Sequence, residues 1–527
     1  MLKNAIQNFI FLFIVTPFIF ADPSVETIPP FAFDQYEIDL GNEKFQIILS
    51  GNLIGDSHSD ISVTTKDSSG NISLSIYSFE NDTWKKSVES ELSHDILFVD
   101  IAIIAGRDRL IVYENGHFSY FEPEKMISID LFSTSFNYKG SSKGRIPWVN
   151  MTFDLNNDSL DDFIIPSMDG FSVFIQKSDG TFAVPVHMGP PEPHLDACAL
   201  DDTRSYREVG LNPMTIPWYL RRVHFYDHNL DGRNDIVFWN ENHFDVHFQS
   251  ESGQFDATAH SFSTDIPFDL DGMYSFIFQF SNDGTFSLLT GLRKRSSHTI
   301  LEDINDMNGD GIADLVTHTL SGRSFFKMKS QYKIYFGQST DDGIQFSKNA
   351  GTSVFPSGKG GGAASGGYSS HFFKDFNGDN QNDIFRYDVK MNLGAMFRIF
   401  VMKTISMNYE YHQMENNTFS THSSVKGKWS IKFDWDEGFY PSIKIGDVNG
   451  DGRKEVVMTV NPEELHIYAW NPKLNTLSQD PYSISSTVPG NEMHTWLFDI
   501  NTDQKKDIFM YHPSETANHR LIVLIAK

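Results

Sequence analysis

The chain has 527 residues, a formal net charge of −27, 14% aromatic residues and a single cysteine. That charge disfavours a nucleic-acid partner, and one thiol excludes an internal disulfide framework. Charged residues at 21% beside 46 phenylalanines describe a well-buried β protein rather than an acidic disordered tail.

In chain order, Lys3 and a polar step precede the apolar run Phe9–Val15, and the segment ends near Phe20-Ala21-Asp22. This is the pattern of a secretory signal peptide over residues 1–21. The run is short for a span of about 20 residues, so the expectation is a secreted, periplasmic or cell-surface protein with no transmembrane segment in the mature chain.

Downstream, a nine-residue pattern, Asp-x-Asn-x-Asp-x-x-x-Asp/Glu, recurs six times. Its polar positions are Asp154, Asn156, Asp158 and Asp162; Asp227, Asn229, Asp231 and Asp235; and Asp306, Asn308, Asp310 and Asp314. The later copies supply Asp375, Asn377, Asp379 and Asp383; Asp447, Asn449, Asp451 and Glu455; and Asp499, Asn501, Asp503 and Asp507. Side-chain oxygens at positions 1, 3, 5 and 9 suit a hard divalent cation, since Ca²⁺ takes about 6–8 oxygen ligands. A backbone carbonyl is expected from position 7, where the residue type varies freely: Leu160, Arg233, Ile312, Gln381, Arg453 and Lys505. Single Asp/Asn/Gly runs are ordinary turn formers, but six copies at one spacing are not explained that way. The expected cofactor is therefore Ca²⁺, about six ions. The loops hold 18 carboxylates, and six ions would take the formal charge from −27 to −15.

The flanks decide the fold. An EF-hand requires helices and a bidentate Glu at position 12, where this chain has Phe238, Thr317 and Met458 in the second, third and fifth copies. Short β-branched and aromatic runs follow each loop, such as Phe163-Ile164-Ile165 and Val456-Val457-Met458, and Val223–Tyr226 precedes the second. These are strands, so each loop is a hairpin turn. Two weaker units lie upstream. Asn52–Asp60 lacks a polar residue at position 3, and Asp100–Asp108 keeps only its ends. Weak cation binding is expected in the first and none in the second. Eight units spaced 48–79 residues apart read as propeller blades. After the last loop too few strands remain for a full blade, and Tyr36–Leu40 is the candidate to complete it and close the ring.

These loops and their flanking strands resemble the FG-GAP (VCBS-type) repeat family, which includes the propeller heads of integrin α subunits. The resemblance covers residues 45–515 and implies an all-β propeller of seven or eight blades with calcium-binding hairpin loops. The chain departs from the family pattern in lacking clear Phe-Gly and Gly-Ala-Pro elements. It also has Ser159, Asn380 and Gln504 where the turn has glycine at position 6, which predicts looser turns there.

Residues 22–527 are expected to be one propeller domain, interrupted near 187–220 and 268–295. The first interruption holds Cys198 and is the first choice for a binding surface. The stretch 357–367 is glycine-rich but has Gly360 after Lys359 where a phosphate loop needs Ser or Thr. No His-Glu-x-x-His or Gly-x-Ser-x-Gly pattern is present. The resulting expectation is a non-enzymatic binding or adhesion module for a protein or glycan. The alternatives are a polysaccharide lyase-like enzyme, with His194, Arg221, Arg222, Arg293 and His298 as candidates for a basic groove, and a structural envelope protein.

Overall fold

The computed structural model describes residues 31–527 except 56–57, 136, 141–145, 168–169, 190–207, 211–222, 241–242, 269–296, 322–328, 355–368, 390–396, 399–400, 421, 433–438, 440 and 515. Its strands pair into eight four-stranded antiparallel sheets, the blades of an eight-bladed propeller. Blades 1 to 7 occupy residues 45–92, 96–133, 152–188, 223–262, 297–354, 369–432 and 443–485. Blade 8 is composite: Thr495–Phe498, Asp507–His512 and Arg520–Ala526 are completed by Phe33–Asp39 from the other end of the chain. The expected closing segment therefore does pair, from Phe33 opposite Ala526 to Asp39 opposite Arg520. Of the seven or eight blades anticipated, the structure has eight.

Each blade follows from its sequence period. The second strand is buried on both faces along most of its length in blades 3, 4, 7 and 8, and there an apolar run of at least three residues follows the first residue of Asp162–Ser167, Asp235–Asn240, Glu455–Asn461 and Asp507–His512. Outer strands alternate instead, as in Val425–Lys432, where Trp429 and Ile431 are buried and Lys426, Lys428 and Lys432 are exposed.

Aromatic side chains fill the wedges between blades. Phe98, Tyr113 and Phe118 of blade 2 pack with Phe163 of blade 3. The Phe98–Tyr113 rings stack at 5.0 Å and the Phe118–Phe163 rings meet edge-on at 5.4 Å. Across the closure, Ile38, Phe509 and Val523 of blade 8 join Ile61 and Val63 of blade 1 in one cluster.

In each blade the nine-residue loop, or its equivalent, connects the first strand to the second, which places all eight at one end of the ring. The connections from second to third strand, and from one blade to the next, emerge at the other end. The sequence-predicted interruptions start and end there, after Met188 and Phe262. Their inner residues, with Cys198, the 357–367 stretch and residues 1–21, lie outside the described residues.

Candidate functional site: six carboxylate loops joined in a ring

Position 1 organises each loop. Its carboxylate accepts the backbone N–H of position 6 in all six copies, at 2.7–2.9 Å. In five copies the N–H of position 5 points at two side-chain oxygens at once; for Asp158 these are Asp154 Oδ1 at 3.0 Å and Asn156 Oδ1 at 3.1 Å. The carboxylate at position 5 accepts the N–H of position 7 in all six, at 2.8–3.0 Å. The Asn amide donates to that same carboxylate in five, at 2.9–3.2 Å. Oxygens from positions 1, 3 and 5 thus converge on the hollow of a single turn.

The turn demands left-handed backbone at two places. Position 6 has φ between 64° and 88° whether it is Gly232, Gly311 and Gly452 or Ser159, Asn380 and Gln504. Position 4 is likewise left-handed, including at Leu230 and Thr502, both φ 60°. The expectation of looser turns at Ser159, Asn380 and Gln504 is therefore corrected. The hydrogen bonds to position 1 hold the same geometry there, and the side chains carry the conformational cost.

Position 9 does a different job. Asp162, Asp235, Asp314, Asp383, Glu455 and Asp507 are fully buried. One oxygen accepts the N–H of position 2, as in Met307 to Asp314 at 3.0 Å. In five copies the other accepts an N–H from the residue at the end of the third strand or just beyond it: Gln176, Gln249, Gly337, Met414 or Ala526, at 2.8–2.9 Å. Glu455, one methylene longer, meets the Asn449 amide instead, at 3.2 Å. Burial, reinforced by the carboxylates at positions 5 and 1, pushes Asp162 and Asp314 up to about 7, Asp235 and Asp507 to about 6 and Glu455 to about 8. Asp383 also rises to about 7, mainly from burial, against the lowering effect of the Tyr411 hydroxyl that donates to it. A cation in the hollow would oppose this shift.

Some loops bring their own positive charge. At position 7, Arg233 bonds the Asp231 carboxylate, Arg453 lies 3.6 Å from Asp451 and Lys505 lies 3.9 Å from Asp503. Leu160, Ile312 and Gln381 occupy that place in the other three.

A feature absent from the motif is that the loops are tied to one another. The carbonyl at position 2 accepts from the next blade: Met307 from Asn382 N–H (2.9 Å), Phe376 from Lys454 N–H (3.1 Å), His228 from Ile344 N–H (2.9 Å) and Leu155 from Gln249 Nε2 (3.1 Å). The Asp447 carbonyl takes Lys506 N–H at 2.8 Å, and Ile500 takes Ser59 N–H at 2.9 Å across the closure. Ile103 of blade 2 accepts from Asp161 N–H and Gln176 Nε2. Leu53 of blade 1 accepts from the Arg107 guanidinium, completing the circle.

Gln176 and Gln249 were not anticipated, although each lies 14 residues after a position 9 and opens a Gln-x-x-x-Gly-x-Phe run. Arg107 stands over the Asn52 loop, close enough that a Cβ on Gly55 would meet its Cζ at 3.1 Å. The Asp100 unit is a short hairpin between Ile96–Ile104 and Arg107–Glu114. Asp100 is buried and binds Trp148 Nε1 and Met151 N–H, and Asp108 binds Asn52 N–H.

Of the alternative groove residues, His194, Arg221, Arg222 and Arg293 lie outside the described residues, and His298 falls in the first strand of blade 5. Among the described residues no group of three His, Cys, Asp or Glu side chains is gathered into a ready-made metal cluster, and no helix is long and apolar enough to cross a membrane.

No family model matches the chain, and no curated protein matches it. Among solved structures it is similar to an Agrocybe aegerita lectin described for recognition of non-reducing terminal N-acetylglucosamine. That match has 12% identity and a TM-score of 0.38, and covers 86% of this chain and 90% of that one. It is also similar to the V. cholerae biofilm matrix protein Bap1, with 10% identity, a TM-score of 0.34 and coverage of 93% and 89%. A third match is the rhamnogalacturonan lyase YesW, with 10% identity, a TM-score of 0.29 and coverage of 94% and 74%. At these scores the propeller assignment rests on the strand pairing above, not on the matches.

Proposed function

We propose that this chain is an exported, calcium-binding propeller of the FG-GAP/VCBS type that serves as a binding module for a protein or glycan. The observation that carries the calcium reading is the convergence of oxygens from positions 1, 3 and 5 on one hollow in all six loops, each above a buried carboxylate at position 9. The donor set is all oxygen, which suits Ca²⁺. Asp154, Asn156 and Asp158, and their counterparts in the other five loops, would hold the ion. Position 9 would join by sharing an oxygen that already accepts a backbone N–H, since a carboxylate oxygen has a second lone pair. The ion supplies positive charge where burial has made an anion expensive.

For the binding role, the loops are engaged with one another, which leaves the opposite end of the ring for a partner. Trp148 lies toward that end. It precedes the inner strand of blade 3, is held by the Asp100 carboxylate, and is 55% exposed. A rigid aromatic with an open face suits a sugar ring or an apolar side chain. The test is a glycan array and surface-protein pull-down with ion-filled protein and with Trp148→Ala. Ligands retained by the wild type and lost by the variant support the reading; retention by both moves the site elsewhere.

A further inference from the structure

The six loops differ in charge. Over its nine residues the Asp154 loop holds four carboxylates and no Lys or Arg, and the Asp306 and Asp375 loops hold three and none. The Asp227 loop sets three carboxylates against Arg233, the Asp447 loop three against Arg453 and Lys454, and the Asp499 loop three against Lys505 and Lys506. The geometry follows the count. Position 7 turns its N–H to the position 5 carboxylate in every loop, so a long side chain there can return to the same group.

In three loops it does. Arg233 Nη2 donates to Asp231 Oδ2, and the Gln249 carbonyl holds its Nε at 3.1 Å. Arg453 Nη1 lies 3.6 Å from Asp451 Oδ2, and Lys505 Nζ 3.9 Å from Asp503 Oδ2. The six side chains are 23–34% exposed, so solvent screens these pairs only in part. Lys505 also runs across the preceding loop: a Cβ on Gly450, at position 4, would meet its Cγ at 3.2 Å and its Cε at 3.4 Å. Arg107 stands over the same position of the Asn52 loop, Gly55. The oxygens of Asp158, Asp310 and Asp379, by contrast, meet only N–H groups of their own loops among the described residues. Lys374, beside Asp375 in sequence, is exposed and forms no ion pair among the described residues.

On the calcium reading of these loops, on which the inference rests, we propose that Arg233, Arg453 and Lys505 are built-in counter-ions that split the six sites into two classes. The Asp154, Asp306 and Asp375 loops take Ca²⁺ tightly. The Asp227, Asp447 and Asp499 loops already hold a positive charge and take it weakly. Repulsion between like charges sets the gap: a unit charge about 6 Å from a doubly charged ion lowers affinity roughly tenfold even in water. The same side chains relieve carboxylate repulsion when no ion is present, so removing the ion costs least at the three basic loops.

The full mature chain, stripped with EDTA and dialysed free of it, is titrated with calcium by calorimetry. The expected isotherm has about three tight sites and about three that are roughly tenfold weaker. Arg233→Gln/Arg453→Gln/Lys505→Gln gives each basic loop the residue that Gln381 places at position 7. It should tighten the weak class about tenfold and enlarge the rise in melting temperature on adding calcium. Gln381→Arg should move one site from the tight class to the weak. All four side chains are partly exposed, and melting curves in EDTA will show that the variants fold. Six equivalent sites in the wild type, or a weak class unchanged by the triple substitution, overturns the inference and leaves the calcium reading standing. No calcium uptake by the wild type overturns both.

Discussion

Asp314→Asn isolates what the carboxylate at position 9 does. The side chain is fully buried and accepts Met307 N–H at 3.0 Å and Gly337 N–H at 2.9 Å. The amide keeps one acceptor and turns a donor toward the other N–H, stranding it at a cost of about 1–3 kcal/mol. Against this, burial has raised Asp314 from 3.8 to about 7, so at pH 8 the ion-free native state carries an anion disfavoured by roughly 4 kcal/mol, at about 1.4 kcal/mol per pH unit. In EDTA the substitution removes that anion, and the two effects leave it neutral to stabilising. Calcium works against the variant. A cage saturated at 100 times its dissociation constant adds about 2.7 kcal/mol to the native state, and the variant forfeits much of it. Urea unfolding at pH 8, followed by tryptophan fluorescence, should show a variant level with or above wild type in EDTA that loses ground to it in calcium, the difference shifting by up to about 2.7 kcal/mol. An identical offset in both conditions refutes the reasoning.

The same carboxylates set a pH dependence. A raised acid binds protons more readily in the native than in the unfolded state, so its contribution is lost as pH rises through the native value; with Asp162, Asp314 and Asp383 at about 7, ion-free protein should melt higher at pH 7 than at pH 8.5. Below about 6.5 the buried His224 and His512, lowered to about 4 by desolvation, act in the opposite sense, but two imidazoles only soften the effect of six raised carboxylates, so differential scanning calorimetry in EDTA should find the melting temperature rising from pH 8.5 down to about 5, more gently below 6.5, and calcium should flatten that dependence. Gln504→Gly removes a side chain from backbone at φ 71° and should stabilise by roughly 1 kcal/mol in chemical unfolding. Deleting residues 22–40 strips Arg520–Ala526 of its partner strand; the exposed edge should lower the melting temperature and produce oligomers on size-exclusion chromatography, whereas an unchanged monomer would show that the closure is dispensable.

Much of the architecture was legible because it repeats. The loop spacing located the strands on either side, and counting units exposed a deficit for which Tyr36–Leu40 was the candidate; the strand that fills it is Phe33–Asp39. Blade number became definite only with pairing, since Ile96–Ile104 and Arg107–Glu114 form a blade hairpin around a degenerate motif. The loop ring was not legible. Its acceptors are backbone carbonyls of residues as different as Leu155, His228 and Phe376, and most of its donors are backbone N–H groups, so only the links made by Gln176 and Gln249 leave a side-chain signature. Arg107 over the Asn52 loop likewise depends on a neighbouring blade. The motif also concealed the division of labour within it: Asp154 and Asp158 face the hollow, while Asp162 is spent on backbone N–H groups of its own blade. Gln176 and Gln249 do carry a signal, a Gln-x-x-x-Gly-x-Phe run 14 residues after position 9, but it occurs behind only two of the six loops.

The most direct test of the account is a calcium titration of the purified mature chain by calorimetry, with melting curves recorded alongside. The account predicts about six ions per chain and a large rise in melting temperature, reversed by EDTA. Failure to bind, with identical melting curves in calcium and EDTA, would contradict it and leave the six loops as hydrogen-bonded turns on a bare propeller.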